Sequence, residues 1–265
     1  MAKKNGMIGI IGLGFVGKAV AASYPTTHVV ISDPAYPGVS QPVSVLKEMC
    51  DCIFICVPTP QSSTGECDTR ILETVVAELR GYNGIVISKS TASPQTYARI
   101  EQESKLKFAH VPEFLTQANA IDDYLNTEKV VIGCHYKIRE QVAKFVLTDR
   151  VRFYGEVEYC TVAEASFFKY LANTMLAMKV IMNNEYAKLA EALEIDWDNV
   201  AEIAKTDTRL GKTHWRVPGP DGSYGFGGAC FPKDTAALSA IANDNDVEMA
   251  MLNTAIIRNT ELRDN

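Results

Sequence analysis

Short, almost unbroken runs of apolar residues alternate with amphipathic stretches through the first 155 positions. The runs are Met7–Gly12, His28–Ser32, Cys52–Val57, Gly84–Ser88, Lys107–His110, Lys129–Gly133 and Val151–Tyr154. Half-exposed strands would alternate apolar with polar residues. Near-continuous runs instead fit strands buried on both faces of a parallel sheet. Between them, Phe15–Ser23, Thr69–Leu79, Pro94–Glu103 and Ile138–Leu147 carry a helical pattern. This alternation predicts a doubly wound α/β domain over residues 1–155.

The pattern changes after Gly155. From Thr161 to Leu193 there is neither glycine nor proline. A helix of that length would run roughly 50 Å. Its apolar residues, among them Phe167, Phe168, Leu171, Met175, Leu176, Val180 and Ile181, fall around most of the circumference. Such a helix must be covered on several sides. We therefore expect an all-helical second domain, residues 156–265, with a homodimer interface along this long central helix. Further helices are predicted at Trp197–Lys205, Pro232–Ala242 and Val247–Leu262, separated by a Gly/Pro/Arg-rich loop from Asp207 to Gly228.

The 265 residues suffice for one large or two modest domains. Lysine and arginine total 26 against 32 acids, a net charge of −6. That balance lacks the basic footprint of a nucleic-acid binder. No apolar run reaches 18 residues, so no membrane span is expected. The opening MAKKNGMIGIIG runs straight into a glycine motif without a cleavage site and reads as mature structure. Seven scattered cysteines suggest free thiols in a reducing, cytoplasmic setting. Cys52 and Cys56 share one strand face by period two. With Cys50 and Cys67 they form no paired knuckle of the zinc type, and the four histidines are dispersed, so no metal is expected.

Gly12-Leu13-Gly14-Phe15-Val16-Gly17 is a G-x-G-x-x-G run between a predicted strand and a predicted helix. Gly12 permits the tight turn, Gly14 lets backbone approach a pyrophosphate, and Gly17 lets the helix pack close to the strand. The helix N-terminus adds unpaired N–H groups and positive potential. Asp33 closes the next strand, 21 residues after Gly12. An acid there suits a ribose and favours NAD over NADP. A bare glycine turn followed by a turn aspartate before Pro34 would share this pattern.

Cys56-Val57-Pro58-Thr59-Pro60, Ser88-Lys89-Ser90-Thr91 and Pro112-Glu113-Phe114-Leu115 each follow a predicted strand, where open α/β sheets form ligand crevices. Each alone also reads as turn chemistry. Lys169 and Asn173 lie four apart on one face of the long helix. A lysine in a dry site can clamp charge or move a proton; a snorkelling lysine beside a surface asparagine is the alternative. Gly225-Phe226-Gly227-Gly228-Ala229-Cys230-Phe231-Pro232-Lys233-Asp234 delivers a cysteine to a helix start, where a thiolate is favoured.

These motifs, together with EASFFKYLANTMLAMKVIMNNE and TRLG, resemble the UDP-glucose/GDP-mannose dehydrogenase family in family order over nearly the whole chain. GFGGACFPKDT is most like the UDP-glucose 6-dehydrogenase branch. The resemblance implies a Rossmann-type domain followed by a helical dimerisation domain. It also implies a four-electron oxidation of a nucleotide sugar, UDP-glucose to UDP-glucuronate, with NAD as acceptor. Cys230 would carry a thiohemiacetal and then a thioester. Lys169 would stabilise the oxyanion, and Asn173 and Asp234 would position water and assist proton transfer. Thr91 and Glu113 would stand at the catalytic end. NAD contacts would fall to Gly12, Gly14, Phe15, Val16, Gly17, Asp33, Val57, Pro58, Thr59, Ser90, Thr91 and Lys233. The substrate would meet Glu113, Phe114, Leu115, Lys169, Asn173, Tyr224, Phe226, Gly227 and Gly228, with Arg209 reaching into the neighbour's site of a dimer.

The chain also departs from the family pattern. The family ends in a C-terminal nucleotide-binding domain that these residues do not contain, which weakens the expected hold on the substrate. The segment between Asp33 and Cys52 is short, and Thr116-Gln117-Ala118-Asn119 follows PEFL in place of an acid and glycine. Two other functions remain open. One is a single-hydride β-hydroxyacid-type dehydrogenase, in which Cys230 is superfluous. The other is a non-catalytic NAD-binding remnant that needs a partner domain.

Overall fold

The computed structural model describes residues 6–264. The basic residues 1–5 of the opening segment lie outside the described residues. The chain divides into two compact units. One is the chain up to Pro60 together with Asp68–Lys169; the other is Gln61–Cys67 together with Tyr170–Asn265.

The first unit runs β1 (Ile8–Ile11), α1 (Phe15–Ala22), β2 (Val29–Ser32), α2 (Val43–Met49), β3 (Cys52–Ile55), α3 (Arg70–Glu78), β4 (Ile85–Ser88), α4 (Pro94–Ser104) and β5 (Lys107–His110). It continues through α5 (Ala120–Leu125), β6 (Asn126–Thr127), β7 (Val130–Cys134), α6 (Arg139–Val146), β8 (Arg152–Phe153) and β9 (Val157–Cys160). Seven strands form one sheet in the order β2-β1-β3-β4-β5-β7-β9. Ile10 of β1 stands between Ile31 of β2 and Phe54 of β3. The order reverses at β1, which places a switch point, and hence a crevice, at the end of β1.

The continuous apolar runs have a direct cause. Alternate residues of each inner strand enter different cores. Ile8, Ile10, Cys52, Phe54, Ile85 and Ile87 pack on one face, and Ile11, Ile53, Ile55 and Val86 on the other. Both faces are lined by apolar side chains, so the strands read as nearly unbroken apolar segments.

The doubly wound fold is as expected, but the sheet is mixed. The first five strands are parallel; β7 runs antiparallel to β5, and β9 parallel to β7. After β5 the chain forms α5 against α1 and enters β7 from the end at which it left β5. The run Val151–Tyr154 shrinks to the two-residue β8, which pairs with β6 outside the main sheet. The strand that completes the sheet, β9, was not expected. It lies at the edge and carries two exposed residues, so its apolar signal is weak. Beside β2, one parallel bridge joins Ile31 to Ser40, and the short segment before Cys52 otherwise forms α2.

Helix α7 (Val162–Ala192) starts on a capping box. The Glu164 carboxylate accepts from the Thr161 N–H at 2.8 Å, and the Thr161 hydroxyl accepts from the Glu164 N–H at 3.2 Å. In the second unit α8 (Trp197–Thr206), α9 (Phe231–Asp244) and α10 (Ala250–Arg263) follow. Tyr170, Ala237, Leu238 and Leu252 form one core there, and Ala177, Ile181, Phe226 and Ala255 another. One stripe of α7 stays exposed: Phe167, Leu171, Met175, Met182, Tyr186 and Leu189. Among the described residues no helix is long and apolar enough to cross a membrane.

Candidate active site

The glycine loop shows three separate steric demands. Gly12 has φ +92°, and a Cβ there would lie 2.6 Å from the Cys56 carbonyl oxygen. A Cβ on Gly17 would come within 2.0 Å of the Gly12 carbonyl oxygen, so α1 can approach β1 this closely only with glycine. A Cβ on Gly14 would meet no protein atom within 4 Å. Gly14 is therefore dispensable to the fold, and its backbone borders open space. It also precedes the first turn of α1, which has no side-chain cap. Phe15 and Val16 thus open a helix N-terminus suited to a phosphate anion.

Asp33 stands just after β2. One carboxylate oxygen accepts from the Leu13 N–H at 2.5 Å and the other from the Ala35 N–H at 2.8 Å. The acid thereby fixes the glycine loop. A carboxylate has about four acceptor sites, so capacity for ribose hydroxyls remains. Open space over Gly14, a helix N-terminus and a half-buried acid after β2 together fit NAD.

The chain just after β3, as far as Pro60, and the loops after β4 and β5 belong to the same unit. Val57 and Thr59 are buried and Pro58 is exposed. The Ser90 hydroxyl donates to the Val57 carbonyl at 2.7 Å and ties two of these loops together. Thr91 is half-buried beside it. After β5, Lys169 donates to the Glu113 carboxylate at 2.9 Å and to the Glu113 carbonyl at 2.6 Å. The second carboxylate oxygen accepts from the Leu115 N–H at 2.8 Å. Lys169 is 3% exposed and Glu113 7%. The Lys169 ammonium also lies 5.4 Å from the centre of the Phe114 ring, which packs edge-on to Phe168. Lys169 is therefore buried and paired, and the snorkelling alternative does not hold.

In the second unit Cys230 caps the start of α9, with Pro232 in the first turn. The fully buried Asp234 carboxylate accepts from Asn173 at 2.6 Å and from Lys233 at 2.5 Å. Burial works against the charge on Lys233, but Asp234, Cys67 and Cys230 outweigh it and raise its pKa. The loop before Cys230 is pinned by side chains. Asn184 and Asn259 accept from the N–H groups of Gly225 and Phe226, and Arg263 donates to the Phe226 carbonyl. Gly225 and Gly228 have positive φ, and Gly228 faces open space.

The residues expected at the site thus gather in two groups. Glu113, Phe114, Leu115 and Lys169 meet in the first unit; Asn173, Lys233 and Asp234 meet around the start of α9. Phe226 is buried in a core and packs edge-on to Phe231, while Gly227 abuts Arg263. Tyr224 is exposed, and Arg209 pairs with Asp207 of its own loop at 2.5 Å. Two buried basic residues of the first unit were not singled out from the sequence. Lys89 stands inside a motif read mainly for its serine and threonine. His110 ends a strand, stacks on Tyr97, and is pushed down to about 3 by burial, against its hydrogen bond to the Ser88 carbonyl.

A doubly wound sheet with this loop at its switch point and an acid closing β2 defines a dinucleotide-binding protein. Two models of one family extend that assignment. The NAD binding domain of the UDP-glucose/GDP-mannose dehydrogenase family matches residues 39–149, and its central domain matches residues 163–261. The chain belongs to this family, and its cofactor is NAD. A putative UDP-glucose 6-dehydrogenase, YtcA, of Bacillus subtilis (strain 168) is 34% identical over 226 residues, covering 80% of this chain and 51% of that protein. The UDP-glucose 6-dehydrogenase of Rickettsia bellii is 30% identical over 219 residues, covering 80% and 49%. The structure of a UDP-glucose dehydrogenase from Pyrobaculum islandicum aligns with TM-score 0.81 and 25% identity over 98% of this chain and 70% of that one. The chain thus spans about half the length of the curated relatives it matches.

Proposed function

We propose that the chain catalyses the NAD-dependent four-electron oxidation of a nucleotide sugar, UDP-glucose to UDP-glucuronate. Residues 1–155 serve the cofactor and residues 156–265 the cysteine chemistry. The observation that carries this reading is the buried Asn173–Asp234–Lys233 network at the helix start that presents Cys230. Unpaired buried charge is costly, so a fold that keeps these groups together needs them for something other than packing. Bound NAD supplies the hydride acceptor.

The protein's own groups do the rest. The C6 hydroxyl releases its proton to water and its carbon loses a hydride, which leaves the aldehyde; Lys169, held as an ammonium by Glu113, donates to the C6 oxygen as negative charge develops there. The Cys230 sulfur adds to the aldehyde carbon and its proton ends on the former carbonyl oxygen, giving a thiohemiacetal. Loss of a hydride and a proton leaves a thioester. Asn173 and Asp234 orient a water on the thioester carbon. Its attack breaks the C–S bond and returns the thiol and a carboxylate. We further propose a homodimer through the exposed stripe of α7. These residues recur at helical spacing from Phe167 to Leu189, an apolar seam that a single copy leaves in water.

The test is the NADH yield from limiting UDP-glucose with excess NAD, with the product weighed by mass spectrometry. Two NADH per sugar and a carboxylate product are expected. Cys230→Ala should fold yet give no net oxidation to the acid. A normal yield from that variant would contradict the mechanism and favour single-hydride chemistry. No NADH from any nucleotide sugar would favour a cofactor-binding part that needs a partner domain.

A further inference from the structure

Two buried lysines face Glu113, and only Lys169 has a place in the reaction. Lys89 follows β4 and is 5% exposed. Its ammonium lies 5.2 Å from the centre of the Tyr124 ring. With Glu113, Phe114, Tyr124 and Lys129 it lines a small cavity of about 50 Å³. The fold therefore places a second buried ammonium on the same small cavity as the carboxylate that holds Lys169. A methionine would fill the same space without the cost of burying charge.

We propose that Lys89 is a positioning residue for the Lys169–Glu113 pair, a second ammonium on the same cavity whose own proton sets the net charge that the group presents to the substrate. The inference rests on the proposed roles of Lys169 and Glu113. Burial pushes Lys89 down to about 8, with Lys169 adding to the effect and Cys56 and Glu113 opposing it. The shifted neighbours hold their charge state in that range. Burial raises the Cys56 thiol to about 12, lowers His110 to about 3, and lifts the Tyr124 phenol above its ordinary value. All three stay uncharged between pH 7 and 9. On the cavity wall, Asp123 accepts from the Thr116 N–H at 2.7 Å, and the Lys129 ammonium lies 5.0 Å from the centre of the Phe168 ring. With Lys89 protonated the group Lys89, Glu113 and Lys169 carries one net positive charge, and with it neutral, none. Oxyanion stabilisation should therefore weaken as pH rises through the Lys89 midpoint, and kcat should fall with it.

Two measurements test this on the full chain. In protein carrying ¹³C-labelled lysine, the Lys89 ε-carbon, assigned by its loss in Lys89→Met, should titrate near pH 8. Its midpoint should fall in Glu113→Gln. A wild-type midpoint above about 10, or one unmoved in that variant, overturns the proposal. In the pH profile of kcat, an alkaline limb near pH 8 should vanish in Lys89→Met and move beyond about pH 10 in Lys89→Arg. A limb that persists unchanged in Lys89→Met also overturns it. The titration needs no substrate. It decides the coupling even if the wild-type chain oxidises no nucleotide sugar, an outcome that counts against the proposed function alone.

Discussion

Lys169→Met isolates what the buried ion pair does for the fold. The change removes the Nζ that donates to the Glu113 carboxylate and to its carbonyl, while methionine fills most of the same volume. It leaves a carboxylate 7% exposed with, among the described residues, the Leu115 N–H as its remaining direct donor. The cheapest relief is for that carboxylate to take up a proton. Holding a proton on a carboxyl group costs about 1.36 kcal/mol per pH unit above a solution value near 4.3. The ceiling is thus about 3.7 kcal/mol at pH 7 and about 1 kcal/mol at pH 5. The lost hydrogen bond to the Glu113 carbonyl adds on the order of 1 kcal/mol at either pH. In the variant the folded chain keeps a proton that the unfolded chain releases above that solution value, so raising the pH favours unfolding. The penalty should grow from about 2 kcal/mol at pH 5 toward 4–5 kcal/mol at pH 7, less whatever the nearby Lys89 charge recovers. Urea unfolding of both proteins at the two pH values, followed by circular dichroism, measures it. Equal penalties at pH 5 and pH 7 would refute the claim that Lys169 keeps Glu113 ionised. Lys169→Met combined with Glu113→Leu should recover most of the loss, because no buried charge is then left alone.

The glycine loop allows a paired prediction. Gly17→Ala should cost about 2–3 kcal/mol by overpacking and abolish NAD binding, whereas Gly14→Ala should leave the melting temperature unchanged and weaken NAD binding alone; calorimetry reads both. Asp33→Ala should weaken NAD binding at least tenfold, about 1.4 kcal/mol, by removing both a ribose acceptor and the anchor of the Leu13 N–H; titration followed by NADH fluorescence would show it. Met175→Lys with Leu189→Glu should shift the chain to monomer in sedimentation velocity at concentrations where the wild type is a dimer, and a wild type that is monomeric throughout refutes the interface.

Much of the cofactor site was legible because each residue there answers a local demand. Gly12 must turn, Gly17 must admit a helix, and Asp33 must end a strand, and all of these leave marks at fixed spacing. The inner strands were legible for a related reason, since burial on two faces leaves polar residues such as Ser88 and His110 only at strand ends. The edge strand β9 escaped because Val157–Cys160 is half in water and shows no such run. The reversed direction of β7 escaped too. Its sequence is as apolar as a parallel strand, and direction depends on where α5 packs.

The chain pattern by itself determined the α/β alternation, the long helix, the glycine loop and its acid, and a cysteine at a helix start. Those are settled within a few turns of chain, by sterics, burial and local hydrogen bonding. Only the tertiary structure decided which polar residues became buried partners. Glu113 and Lys169 are 56 residues apart, and Asn173 and Asp234 are 61 apart. The pairing of Lys169 with Glu113, of Asp234 with both Asn173 and Lys233, and the seclusion of Lys89 and His110 all follow from which segments the sheet and helices bring together. Long-range burial is what turns an ordinary lysine into an ion-pair partner, and a linear pattern carries no record of that distance.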